Sequence, residues 1–272
     1  MKALITGASG FVGRNLLNSM PKDTIAMVRE RMPDHEHVEC DLEHADRLPE
    51  YVDNIDVIYH LAWTGASGVN RNDEKLQPVN VSNSIRLAEA ALKIGCKKFI
   101  FCGTIAQRWK TLDPYATAKW NAVKAVSDIC SRNGIQFVHV ILPSIYGKGS
   151  SGFVAETFEK MIDGSDIIVK SGNGLNDFIH ISDVVNGLKI VGEKATHGEY
   201  FIGSGKPRRI RDFIEVMADL TNTTSSIDIR DEGQTLTPDD LDISAMSALG
   251  YAPSVDFEDW IRQMISLSRS ST

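Results

Sequence analysis

The 272-residue sequence has no long apolar run; no stretch approaches the roughly 18 residues a membrane-spanning helix needs. It has no surplus of positive charge either. Lys and Arg number 29 against 36 Asp and Glu, a net charge of −7, which gives no electrostatic footprint for nucleic acid or an anionic membrane. Cysteine is scarce. Cys40, Cys96, Cys102 and Cys130 lie far apart with no C-x-x-C, which predicts buried thiols in a reducing compartment rather than a disulfide framework. The N-terminus carries one Lys and a very short apolar run, so no secretory leader is expected and a cytoplasmic location is. "HEH" at 35–37 offers two histidines without a third ligand, so no metal site is expected. Internal repeats and low-complexity tracts are also missing.

What is present is an alternation of strand-like and helix-like text. Ala3–Thr6, Thr24–Val28, Asp56–His60, Lys98–Cys102 and Phe137–Leu142 read as strands. Phe11–Ser19, a long pattern from about Asp73 to Ile94, and Pro114–Arg132 read as helices. Continuous apolar strands are buried on both faces, as in parallel sheets covered by helices. The pattern predicts a doubly wound α/β fold, a Rossmann parallel sheet over residues 1–147. After the flexible "GKGSSG" the text turns irregular, and residues 148–272 read as a small C-terminal α/β substrate-binding part with segments returning to the first.

The stretch "ALITGASGFVGRNL" puts Gly7, Gly10 and Gly13 between a strand and a helix. Glycine permits a tight turn and close backbone approach to a pyrophosphate, and the helix N-terminus supplies free N–H groups and a positive dipole end. The spacing is G-x-x-G-x-x-G, which departs from the commoner dinucleotide fingerprint. At the end of the second strand an acidic residue would select NAD through its ribose hydroxyl. Here Val28 is followed by Arg29, and a guanidinium suits a 2′-phosphate. The cofactor expected is NADP(H), with NAD(H) the alternative because Glu30 is adjacent.

"DPYATAKW" holds Tyr115 and Lys119 at i and i+4, after Asp113 as a good N-cap and Pro114 as a good first helical residue. An ammonium beside a phenol favours the phenolate, which predicts a lowered Tyr115 pKa and a usable acid or base. The spacing alone is unspecific, but Thr104 ends a strand eleven residues earlier, where ligands bind in open α/β sheets. His60 reads as a packing histidine.

At this point the chain resembles the extended short-chain dehydrogenase/reductases, the NDP-sugar epimerase/dehydratase group. The resemblance runs through "TGASGFVG", "CDL", "YHLA", "NVSNS", "GT…YATAK", "LPSIYG", "DFIHISDVV" and "FIGSGKPRRIRDF", nearly the whole chain. It implies that Gly7, Gly10, Phe11, Val12 and Gly13 form the cofactor turn, that Asp41 and Leu42 meet the adenine, and that Leu61, Ala62 and Trp63 lie along the cofactor. It implies Thr104, Tyr115 and Lys119 as the catalytic set, with Tyr115 and Lys119 also touching the cofactor, and Pro143 and Ile145 beside the nicotinamide. Trp63, Thr64, Asn80, Thr104, Tyr115 and Ser144 would face the substrate, a nucleotide sugar. It further implies a homodimer formed through a four-helix bundle of the helices that hold Asn80–Ile94 and Tyr115–Arg132.

Departures from the family pattern narrow the expectation. Members resembling 4,6-dehydratases carry acids after the catalytic threonine, and those that epimerise neighbouring carbons carry a cysteine two residues on; here the text is Thr104-Ile105-Ala106. Hydride transfer and one proton remain. With Arg29, this points to a reductase closest in type to the NDP-4-keto-6-deoxysugar 4-reductases, ahead of a redox 4-epimerase. A non-catalytic NADP(H)-sensing regulator is a third reading, disfavoured because all three catalytic residues are kept. The usual arginine for the sugar-nucleotide phosphate is Asn176, so Arg208, Arg209 or Arg211 would have to serve, Arg208 first.

Overall fold

The computed structural model describes residues 1–233 and 235–270. Its contacts divide the chain into two compact units. The first comprises residues 1–107, 112–141 and 187–200, the second residues 108–111, 142–186 and 201–272.

The first unit begins with β1 (Ala3–Thr6), fully buried, and α1 (Phe11–Ser19). β2 (Ile25–Val28) and the short β3 (His37–Glu39) follow, then a 3-10 segment over Leu42–Glu50 that contains Pro49. β4 (Val57–His60) leads by an irregular segment to α2 (Leu76–Lys93). β5 (Lys98–Cys102), α3 (Pro114–Arg132) and β6 (Gln136–Ile141) complete the alternation. The second unit contains β7 (Ser144–Tyr146), α4 (Phe153–Asp163), β8 (Ile167–Val169), β9 (Leu175–Asn176) and β10 (Phe178–His180). α5 (Ile181–Lys194) and β11 (Gly198–Phe201) carry the chain back to the first sheet. β12 (Arg208–Arg209), α6 (Ile210–Thr221), β13 (Ile227–Ile229), α7 (Ser244–Ala248) and α8 (Phe257–Ser270) end it.

The first sheet has the order β11-β6-β5-β4-β1-β2-β3. Its ladders from β3 to β6 are parallel, with Thr6 opposite His60 and Thr6 opposite Met27. This is the doubly wound order, which reverses direction between β1 and β4, and the crevice at that reversal is where such sheets take ligands. The expected strand at 24–28 starts at Ile25, and the expected helix at 73–94 starts at Leu76, because Asp73 Oδ1 accepts from the amides of Lys75 (2.8 Å) and Leu76 (3.0 Å). Sequence reading missed β3 because its burial rests on Val38 alone.

In the second unit an aromatic cluster of Tyr146, Phe178, Phe213, Phe257 and Trp260 makes the core. Phe178 and Phe213 meet edge to face at 4.4 Å between centroids. Two carboxylates tie its loops. Asp177 Oδ2 accepts from Ser204 N at 2.9 Å, and Asp183 accepts from the amides of Ser254 and Val255, each at 3.0 Å. Among the described residues no helix is long and apolar enough to cross a membrane.

α3 starts where its cap dictates. Asp113 Oδ1 accepts from Ala116 N at 2.7 Å, and Pro114 needs no amide partner there. Asp113→Ala should cost about 0.5–2 kcal/mol in denaturant unfolding, while Asp113→Asn, which keeps the acceptor, should retain most of it.

Candidate active site

The turn after β1 is dictated by crowding. Gly7 has φ +71°, and a Cβ there would lie 2.7 Å from Ala62 N at the end of β4. A Cβ on Gly13 would lie 2.1 Å from the Gly7 carbonyl oxygen. The first turn of α1 is thus pressed onto the strand ends. Gly10 is its N-cap, with no side-chain cap and no acidic residue in the first turn, which leaves the positive helix end available to an anion.

A cavity of about 270 Å³ opens there. Gly7, Ser9 and Gly10 line one wall, Arg29, Asp41 and Leu42 one end, and Leu61, Ala62, Trp63, Thr64 and Asn80 the other. Arg29 is exposed and follows β2 directly; Glu30 is not part of the lining. Phe11 and Val12 stand in the first turn of α1, partly buried and outside the lining, while Gly13 is buried beneath the turn.

Thr104, Tyr115 and Lys119 come together within the first unit, but their electrostatics differ from the sequence expectation. Tyr115 is only 7% exposed. Burial is the largest influence on its phenol and pushes the pKa up; Thr104 and the Arg71 charge pull it back, and Asp113 opposes them. The lowered phenol pKa is therefore not found. Lys119 Nζ donates to the Cys102 carbonyl at 2.8 Å and lies 4.1 Å from the centre of the Trp63 ring. Burial brings this lysine down to about 7. Thr104 is itself held, its amide donating to Gln107 Oε1 at 2.8 Å. Ile105 and Ala106 are buried and bring no acid.

Trp63 and Thr64 are positioned by two side chains of α2. Asn80 pairs both its amide atoms with the Thr64 backbone, accepting from N at 3.0 Å and donating to O at 2.9 Å. Gln77 accepts from Trp63 Nε1 at 2.9 Å and donates to the carbonyls of Gly65 and Asn70, both at 2.9 Å. Sequence reading missed Gln77; the signal was a polar residue three before Asn80, on the face that Ser84 and Leu87 bury. It also missed Arg71, whose guanidinium lies 4.4 Å from the centre of the Tyr115 ring. An arginine in an irregular segment gives no periodic signal.

Pro143, Ser144 and Ile145 lie in the second unit, as do Asn176 and Arg208. Arg208 is the cross-strand partner of Asn176 in the antiparallel β9–β12 pair. It is held bidentately by Glu258, at 2.6 and 3.3 Å, so a phosphate there would share or displace that carboxylate. Arg211 lies 3.5 Å from Asp231, and Arg209 is exposed. All four cysteines are free and buried, and desolvation pushes Cys102 up to about 12.

His60 is a packing residue. Its Nδ1 meets Thr6 Oγ1 at 2.9 Å, its Nε2 meets Ser84 Oγ at 2.8 Å, and Phe99 and Phe101 flank the ring. Burial pushes it down to about 3 from an ordinary 6.5. The unfolded chain takes up this proton at higher pH than the folded one, so the stability linked to His60 is complete above about pH 6.5 and is lost progressively toward pH 3. His60→Gln should flatten the slope of unfolding free energy against pH in that window; an unchanged slope would place the acid sensitivity elsewhere.

The family profile described as "NAD dependent epimerase/dehydratase family" matches residues 3–203. The chain is 25% identical to a CDP-abequose synthase of Salmonella muenchen, over 98% of this chain and 97% of that protein. It is 25% identical to a UDP-glucose 4-epimerase of Mycolicibacterium smegmatis over the full length of both. It is 26% identical to a dTDP-4-dehydro-6-deoxyglucose reductase of Escherichia coli, over 98% and 97%. Among solved structures, a Thermus thermophilus UDP-glucose 4-epimerase in complex with NAD superposes with a TM-score of 0.83 at 18% identity, covering all of both chains.

Proposed function

The chain belongs to the NAD dependent epimerase/dehydratase family, and from that premise we propose that it is an NADPH-dependent reductase of the keto group of a nucleotide-activated 4-keto-(6-deoxy)sugar. The observation that carries the reading is Arg29 lining the cavity at the end of β2 while Glu30 stays out of it. A relative that reduces a 4-dehydro-6-deoxy sugar nucleotide, by its name, supports it.

The residues present fit a nicotinamide dinucleotide. The crowded turn at Gly7 and Gly13, where a Cβ would collide with backbone, leaves bare amides at the start of α1 for the pyrophosphate. Arg29 would take the 2′-phosphate, Asp41 and Leu42 the adenine, and Leu61, Ala62 and Trp63 the length of the cofactor, with Lys119 at the nicotinamide ribose. When bound, the dinucleotide supplies hydride to the carbonyl carbon. Tyr115 gives its proton to the alkoxide oxygen formed, and its raised pKa keeps that proton on the phenol at neutral pH. Thr104 would hold the same oxygen, and Trp63, Thr64 and Asn80 would border the sugar. In the second unit, Arg208 beside Asn176 would meet the diphosphate. The homodimer would form through α2 and α3, on which Val79 and Trp120 are exposed apolar residues.

The 4-epimerase reading is favoured by the full-length similarity to the M. smegmatis enzyme. The two are separated by following NADPH absorbance with a panel of CDP-, dTDP- and UDP-linked 4-keto-6-deoxy sugars. Stoichiometric oxidation establishes the reductase, and interconversion of two 4-hydroxy sugars without added cofactor establishes the epimerase. Tight NADPH binding with no turnover of any panel member would favour the sensing regulator.

NADPH should bind more tightly than NADH, and Arg29→Asp should erase or reverse the preference; equal affinities in the parent protein would remove the main support for reduction. Tyr115→Phe should lower turnover by ~10²–10⁴-fold with little change in cofactor affinity. Lys119→Ala should weaken both, and near-parent turnover by Tyr115→Phe would overturn the assigned roles.

A further inference from the structure

Proton donation by Tyr115 leaves a negative charge on a side chain that is almost wholly buried. Such a charge needs a nearby cation, because little water reaches it. On its own helix Tyr115 has two charged neighbours, Asp113 and Lys119. The Lys119 ammonium is committed to the Cys102 carbonyl and stands over the Trp63 ring, and burial brings its pKa to about 7. Beyond the end of β5 the uncharged Thr104 acts on the phenol, and the segment after β4 contributes the uncharged edge contact of Trp63, at 6.0 Å between centroids.

A further cation, present whatever the state of the cofactor, comes from the 3-10 turn at Val69–Asn72. Arg71 lies over the Tyr115 ring, its guanidinium carbon 4.4 Å from the ring centre. Its Nε donates to Asp113 Oδ2 at 2.6 Å, and Nη1 donates to the Ala66 carbonyl at 3.1 Å. Arg71 and Asp113 are three-quarters or more buried. Guanidinium stays charged at every pH at which the enzyme would work. It attracts the face of a neutral aromatic ring weakly and a phenolate far more strongly.

We propose that Arg71, with Asp113 as its counter-ion, is the positioning residue that sets the charge of Tyr115, stabilising the phenolate left after the proton has been given. The proposal rests on the reading of Tyr115 as the acid. Asp113 then has two functions on separate oxygens. Oδ1 fixes where α3 begins, and Oδ2 sets how much of the Arg71 charge the phenol experiences. The directions of influence on the phenol, lowered by Arg71 and raised by Asp113, accord with this arrangement.

The test reads Tyr115 directly. The full-length protein is made with 3-fluorotyrosine at its six tyrosines, and the Tyr115 fluorine resonance is identified by its loss in Tyr115→Phe. Arg71→Gln should move the titration of this resonance up by about 1 pH unit or more. Asp113→Asn, which keeps the helix cap, should move it down, and Arg71→Lys should hold it near the parent position. A merely structural contact predicts no such opposition of sign. The proposal is overturned if Arg71→Gln leaves the titration unmoved, or if the Arg71→Gln and Asp113→Asn shifts have the same direction. Turnover by Tyr115→Phe decides the acid role separately, so the two failures are distinguishable.

Discussion

A side chain at Gly13 would collide with the carbonyl of Gly7, and one at Gly7 would collide with the amide of Ala62. These two contacts hold the start of α1, the end of β1 and the end of β4 within a single backbone thickness of one another. The cavity exists because of that compression. It sits at the point where the strand order reverses, with the helix end uncapped by any side chain. Had Gly10 been a Ser or Asp, a side chain would compete for the same amides. The crowding also fixes where Ala62 stands, and so where Trp63 and Thr64 begin their run toward Asn80 and Gln77.

Beyond the turn, the site is governed by desolvation. Tyr115, Lys119 and His60 are each nearly sealed from solvent, and in each the neutral form is favoured. For His60 this is structural, since both ring nitrogens are occupied by hydroxyls. For Tyr115 and Lys119 the same physics makes charge expensive, which gives the few neighbouring dipoles and ions a large influence. The Cys102 carbonyl, the Thr104 hydroxyl and the Arg71–Asp113 pair act in that setting, where each is worth more than it would be in water.

Most of the first unit was legible because its strands are short apolar runs and its helices carry recognisable starts. β1, α1, β5 and α3 begin and end at the residues the sequence suggests, since buried alternation, the Asp113-Pro114 cap and the glycine turn all act locally. Tyr115, Lys119 and Thr104 were singled out through that local order and the family resemblance. Their mutual electrostatics were not, because an i, i+4 spacing says that two side chains share a helix face and nothing about where a long lysine chain ends. Lys119 ends on the carbonyl of Cys102, the last residue of β5. Arg71 was invisible for a related reason. Its approach to Tyr115 depends on the path of residues 64–72, which Gln77 and Asn80 fix from another element. In the second unit the strands are two or three residues long, too short to reveal themselves by periodicity.

The first unit is not contiguous in the chain, and this has a bearing on its synthesis. Residues 187–200 return to it and bring two partners for groups already buried there. The Lys98 ammonium donates to the Gly192 carbonyl, at 2.6 Å, and His139 meets Glu199 at 3.0 Å. A nascent chain that has emerged only as far as β6 has an apolar sheet with a lysine and a histidine still awaiting those acceptors. Closure of the sheet must therefore wait until the ribosome has released residues through β11, some sixty positions later than His139. During that interval β6 is an unpaired sheet edge, open to pairing with another chain until β11 covers it.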